Sequence, residues 1–281
     1  MWYELEMIEE HFSSLRTAIH QASWPIDIFV HCNKQTYIET PDDPAVMNRF
    51  MLYIEQWVAP LKNVTITVST MDEPFYSHAD FRRLRSYGIE KGYNIQGEID
   101  SVLPEVYFIA LEAAYDALPD TPHIISFSSR KMWDATWLPV EHFSFQHTPR
   151  EKIQPPFDNE HYITEQQLNE FNRQYNPFIV QLAELKIDGC LLAIRDGVPV
   201  SHPESVHFGP DDFIAQHVLA LHGVPQYHFS TILKGHNYRH PKKRTGTDST
   251  RDDEIYKKYY TEAFDAGRKY VHELQTTLQH A

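Results

Sequence analysis

The sequence predicts an α/β fold, a mixed and mostly parallel sheet flanked by helices, with a helical extension at the C-terminus. Three observations carry this. Short β-branched or apolar runs recur at residues 26–30, 64–68, 123–128, 190–195 and 226–233. Segments of 12–18 residues with apolar positions at helical spacing separate most of them. No internal repeat is present, so the alternation reads as βαβ units rather than a solenoid. In such units the loops at the C-terminal strand ends form the functional site.

Taken in order, residues 3–20 place Leu5, Ile8, Phe12, Leu15 and Ile19 on one helical face. Pro25 leads into the strand at 26–30, which runs out in His31, Cys32, Asn33 and Lys34. Pro44 opens a helix carrying Met47, Phe50, Ile54 and Trp57, and Pro60 ends it. Residues 64–68 alternate as a β-branched strand. Residues 79–100 are polar with three glycines and read as a short helix followed by an irregular loop. Val102, Val106, Ile109, Ala110, Ala113 and Ala117 define the next helix, closed by Pro119, with a strand at 123–128 after it. Residues 139–165 read as a long loop with the length of a lid or acceptor loop. A helix at 165–184, broken at Pro177, leads to the strand at 190–195. After a helix closed by Gly223, the strand at 226–233 gives way to a basic tract, Arg239 to Arg244, and a polar stretch. The final amphipathic helix spans 254–279 on Ile255, Tyr259, Val271, Leu274 and Leu278.

Composition narrows the function. The chain has 281 residues, enough for a substantial core. Its net charge of −14 argues against a surface made wholly for nucleic acid, although the tract at 239–244 is locally basic. The two cysteines, Cys32 and Cys190, sit in separate apolar runs, which fits buried thiols in a reducing compartment. No apolar run approaches the ~18 residues of a membrane span. The acidic, periodic N-terminus does not read as a signal peptide. A soluble, cytoplasmic protein is the expectation. The seventeen histidines form no HExxH pattern.

The densest chemistry lies in residues 207–237, HFGPDDFIAQHVLALHGVPQYHFSTILKGHN. A Gly-Pro turn precedes two adjacent carboxylates, Asp211 and Asp212, at the start of the apolar-striped helix. Free N–H groups and the helix dipole there favour ionised carboxylates. An ionised carboxylate beside a loop meets the requirement for a general base. Ordinary N-capping accounts for the same residues equally simply.

Read together, IDGCLLAIRDGVP, then FGPDDFIAQHVLALHG, then VPQYHF resembles the C-terminal half of the large family of inverting glycosyltransferases with the GT-A fold. The resemblance covers residues 3–240 and implies a GT-A-like, Rossmann-like domain over 1–240. Residues 241–281 then form a basic loop and an amphipathic helix packed on the same domain. It implies Asp211, with Asp212 in reserve, as the catalytic base. Pro210 stands where the family has the Glu of a Glu-Asp pair, and the family's first strand is missing from the match.

Ser128, Ser129, Arg130 and Lys131 replace the family's Asp-x-Asp, while Trp133 and Trp137-Leu138 keep their spacing. The basic side chains and hydroxyls could therefore take over part of a divalent cation's work on the donor diphosphate. His236 occupies the place of a family His that reaches metal or diphosphate; it is the candidate metal ligand. Asn33 and Trp133 are the candidates toward nucleotide or sugar. The implied ligands are a UDP-type nucleotide-sugar and a glycan or other hydroxyl acceptor. Mn²⁺ or Mg²⁺ is an open requirement. A nucleic-acid acceptor rests on the 239–244 tract alone. Two rival readings remain: a non-catalytic nucleotide- or sugar-binding protein on the same fold, and a nucleotidyltransferase-like enzyme.

Overall fold

Two sheets organise the chain. The computed structural model describes residues 5–33, 51–58, 60–61, 64–71, 91–97, 101–130, 139–140, 165–173, 178, 180–182, 191–195, 211–236 and 254–279. The smaller sheet pairs β1 (Ile26–Asn33) in parallel with β2 (Val64–Met71). The larger has seven strands. They are β3 (Tyr93–Gly97), β4 (Ser101–Val102), β5 (Ile124–Arg130), β6 (Pro139–Val140), β7 (Val180–Leu182), β8 (Leu191–Arg195) and β9 (Gln226–His236). Their order is β3-β8-β5-β9-β4, with β6 beside β5 and β7 beside β9.

The α/β class holds, with one parallel pair and one mixed sheet. Among the described strands, parallel pairing is confined to β1–β2 and the central β5–β9 pair. The remaining ladders among the described strands are antiparallel, more than the helix–strand alternation implied. They arise from short strands that the sequence reading gave to other structures. Residues 93–97, expected in an irregular loop, form β3, because its inward positions Asn94 and Gln96 are polar yet buried. Residues 180–182, expected in a helix, pair with β9, and the described helix ends at Asn172. Val102, expected to begin a helix, sits in β4; Pro104 disfavours helix at Leu103, and the helix starts at Tyr107.

Alternation along the central strands divides the core. On one face Ile125, Phe127, Leu191, Ala193 and Phe229 meet α1 (Leu5–Gln21), through Phe12, Ala18 and Ile19, and α2 (Tyr107–Ala117). The inner side of β1–β2 (Ile26, Ile28, Val30, Val64 and Ile66) packs against the same cluster. An aromatic stack runs through it: Tyr107 lies 4.5 Å from Phe127, and Phe127 4.5 Å from Phe229. The helix expected from Pro44 is described only from residue 51, and it ends in a π-helical turn, Ile54–Val58. A short helix α3 (Glu165–Asn172) packs near β9 on the α1 side.

On the other face Ile124, Leu192 and Ile194 meet Ala215 and Leu219 of α4 (Asp211–Leu221). The outer side of α4 (Ile214 and Val218) is covered by Ala266, Tyr270, Val271 and Leu274 of α5 (Glu254–Gln279). The C-terminal helix thus packs on its own chain through Val271 and Leu274, while Leu278 stays 40% exposed. Gly267 lets the two helices approach: a Cβ there would lie 2.7 Å from Ile214 Cγ1. Among the described residues, no helix is long and apolar enough to cross a membrane.

Candidate functional site

The candidate site forms where β5 and β9 end together. Both strands run longer than their apolar cores suggested. Ser129 and Arg130, past the expected strand end at Ser128, complete β5; Lys234, Gly235 and His236 complete β9. The ladder sets Ser128 opposite Leu233, Ser129 opposite Lys234 and Arg130 opposite Gly235. On the far side of β9, Ser101 of β4 stands opposite His236 and Val102 opposite Gly235. Three strands therefore bring Ser101, Ser129, Arg130, Lys234 and His236 to one end of the sheet.

An irregularity makes this possible. Phe127 faces Phe229, but the next residue of β5, Ser128, faces Leu233. Residues 230–232 are thus extra on β9, a bulge of the kind that re-aims strand residues beside functional sites.

The helix carrying the candidate base is held by local chemistry that the sequence announced. Gly223 has φ of 75°, the left-handed region. Val224 N–H donates to Leu219 O at 2.9 Å and Gly223 N–H to Ala220 O at 3.0 Å, the paired bonds of a Schellman C-cap. This reverses the chain into β9, and Gln226 Nε2 donates back to Gln216 O at 3.0 Å. The helix α4 therefore runs against β9. Asp211 and Asp212 are its first two residues.

Asn33 lies on a different sheet. Asn33 ends β1 opposite Met71, and β1 shares no ladder with β5 or β9 among the described strands. Lys131 and Trp133 lie outside the described residues, as do Pro210, Cys190 and the basic tract at 239–244. No three His, Cys, Asp or Glu side chains converge as a metal cage among the described residues.

Two residues at the site escaped the sequence reading. Ser101 is fully buried, and its hydroxyl has no hydrogen-bond partner. Its carbonyl does engage the His11 ring, 2.7 Å away. Lys234, grouped by sequence with a basic surface tract, is also fully buried. Its place two residues after Ile232 was the available signal, because Ile232 belongs to the core and alternation carries Lys234 to the same face.

Arg195 ends the strand of the LLAIR segment, and its role is structural. The guanidinium is 3% exposed. Its Nη1 donates to Tyr115 O at 3.0 Å and Pro119 O at 3.1 Å, and its Nη2 to Asp120 Oδ1 at 2.7 Å. It also lies 3.8 Å above the Tyr115 ring. It thus closes the C-terminal end of α2, whose last carbonyls lack helical partners.

No protein-family model and no curated protein matches the chain.

Proposed function

We propose that this chain is a GT-A-like glycosyltransferase that moves a sugar from a nucleoside-diphosphate donor to an acceptor hydroxyl, with inversion. In this reading Asp211, or Asp212 beside it, takes the proton from the acceptor hydroxyl as that oxygen attacks the anomeric carbon. Ser128, Ser129, Arg130, Lys131 and His236 bind the departing diphosphate and offset its growing charge. Asn33 and Trp133 belong to the nucleotide or sugar side. A divalent cation, where present, would supply further charge neutralisation, with His236 as its candidate ligand.

The observation that carries the reading is the register at the sheet end. Arg130 lies opposite Gly235, next to His236, at the C-terminal ends of the parallel β5–β9 pair. A helix beginning with Asp211 and Asp212 turns at Gly223 into β9. In this reading the strand ends take the anion and the helix start supplies the base, at the position where α/β sheets take ligands.

The test is a thermal-shift screen of the purified chain against nucleoside diphosphates and their sugars, each with Mn²⁺, Mg²⁺ or EDTA. A ligand that binds only the folded state raises the midpoint by mass action. The expected result is a rise with one nucleotide that survives EDTA. Absence of any rise refutes the donor site. Full transfer activity in folded Asp211→Asn and Asp212→Asn variants refutes the proposed base.

A further inference from the structure

We propose that Trp24, Tyr115 and Tyr93 form a one-electron relay that ends on Tyr93, with His123 taking the phenolic proton. The relay accepts oxidising equivalents from small one-electron oxidants at the Trp24 edge. It is independent of the strand-end site and of the donor reading.

The chemistry begins with a hydrogen bond. His123, the residue before β5, is 1% exposed. Its Nδ1 lies 3.0 Å from Thr121 O. A carbonyl oxygen only accepts, so Nδ1 carries a proton, and in the neutral ring Nε2 is then the acceptor. The Tyr93 hydroxyl, 2.8 Å from Nε2, donates to it. A phenol donating to a fixed imidazole is what tyrosine oxidation requires. Removing an electron makes the phenol a strong acid, and the neutral radical forms where a base stands ready for the proton. Tyr107 supplies the contrast. It is fully buried, and its hydroxyl has no hydrogen-bond partner among the described residues, so it has no base to take a proton.

Ring contacts lead outward from this pair. Tyr93 lies edge-on to Tyr115 with centroids 5.6 Å apart, and Tyr115 lies edge-on to Trp24 at 5.0 Å. Tyr115 is buried, whereas Trp24, between α1 and β1, is half-buried and reaches solvent. Glu112 Oε1 fixes that corner by accepting the Trp24 N–H at 3.2 Å. Charge sets the direction. The Arg195 guanidinium stands 3.8 Å over the Tyr115 ring and opposes a second positive charge there. The electron vacancy therefore passes Tyr115 without resting on it. At Tyr93 the departing proton leaves the ring neutral.

The step balances within the pair and the oxidant. The oxidant takes one electron from Trp24, and Tyr93 refills Trp24 through Tyr115. The phenolic O–H bond breaks and an N–H bond forms at Nε2. Tyr93 becomes a neutral phenoxyl radical, and His123 becomes an imidazolium that donates to Thr121 O and to the phenoxyl oxygen. One electron from a reductant in solution, such as ascorbate, sends the proton back and resets the pair.

The experiment oxidises the purified chain with photogenerated tris(bipyridyl)ruthenium(III) and reads freeze-quenched electron paramagnetic resonance in H₂O and D₂O. Circular dichroism establishes the folding of each variant first. The chain has sixteen tyrosines, so variants make the assignment. Wild type should give a phenoxyl signal whose g-anisotropy is narrowed by a hydrogen bond, with a proton coupling that is lost in D₂O. Tyr93→Phe, which keeps the ring and its packing, should lose that component. Trp24→Phe should lower its yield without changing its shape, and Tyr107→Phe should leave it as in wild type. Persistence of the component in Tyr93→Phe, or an unchanged yield in Trp24→Phe, overturns the proposal. So does a wild-type signal with no exchangeable coupling, a result that stands even where a variant does not fold.

Discussion

Replacing Arg195 by Met should cost more stability than any other single charge removal at the end of the sheet. The guanidinium is 3% exposed, donates to two carbonyls and one carboxylate, and lies 3.8 Å over Tyr115. Bonds from a charged donor are each worth about 1.5–3 kcal/mol, and a buried acceptor left unpaired costs about 1–3 kcal/mol. Tyr115 O would be left behind near the end of α2, whereas Pro119 O would keep the Thr121 N–H. Stacking on Tyr115 adds about 1 kcal/mol. Met retains much of the stem's packing, so the net loss should be about 3–5 kcal/mol, the range for breaking a buried charged network. In a chain of this size that lowers the melting midpoint by on the order of 10 °C. Urea unfolding followed by circular dichroism reads it directly. Two companions sharpen the test. Asp120 is 94% exposed, so Asp120→Ala should cost less than about 1 kcal/mol. Arg195→Lys, which keeps the charge but loses the fork, should fall between. If Arg195→Met lies within about 1 kcal/mol of wild type, the carbonyls of α2 are satisfied by other means and the argument fails.

Two further predictions concern the core. Alanine is a better helix former than glycine by about 1 kcal/mol, yet Gly267→Ala should destabilise by about 1–3 kcal/mol because its Cβ overlaps Ile214. The double variant Gly267→Ala/Ile214→Ala should be more stable than the sum of the single losses predicts, as a urea double-mutant cycle would measure. Tyr107 is fully buried with its hydroxyl unpartnered, and burial, then the nearby Tyr93, raise its pKa above the ordinary 10.0. The neutral phenol's contribution is therefore complete below pH 10.0 and declines above it, where the unfolded chain loses its proton first. Tyr107→Phe should be neutral or up to about 1 kcal/mol stabilising at neutral pH, with a shallower alkaline loss in urea midpoints measured against pH.

What the sequence disclosed follows from which residues face the core. Helices with a full apolar stripe were legible to within a few residues: α1 on Phe12 and Ile19, and α4 on Ile214 and Val218 with Gly223 as its stop. Strands with apolar centres, such as β5 and β8, were equally plain. Elements whose buried positions are polar were not. Asn94 and Gln96 hide β3, and Ser101 hides β4, since burial of a polar side chain leaves no mark on a hydropathy pattern. The same blindness split the candidate site. Asp211 and Asp212 were visible through helix-start chemistry, and Ser128, Ser129, Arg130 and His236 only through a family resemblance. Ser101 and the burial of Lys234 required the ladder.

The bulge in β9 is the feature on which the candidate site turns. With an unbroken register, Ser128 would face Ser230 and Arg130 would face Ile232, a residue of the hydrophobic core. Lys234 and His236 would then run past the end of β5 with nothing opposite them. The three extra residues shift the register so that Arg130 meets Gly235 and Ser129 meets Lys234. On the other edge Ser101 pairs with His236. The interruption leaves the apolar packing intact on both sides: Phe127 and Phe229 stay stacked before it, and Ile232 remains buried within it. A register break that preserves the core while concentrating serine, arginine, lysine and histidine at one strand end is hard to explain as packing alone. That is why the strand end, rather than the more regular β1–β2 pair, is where ligand chemistry is proposed.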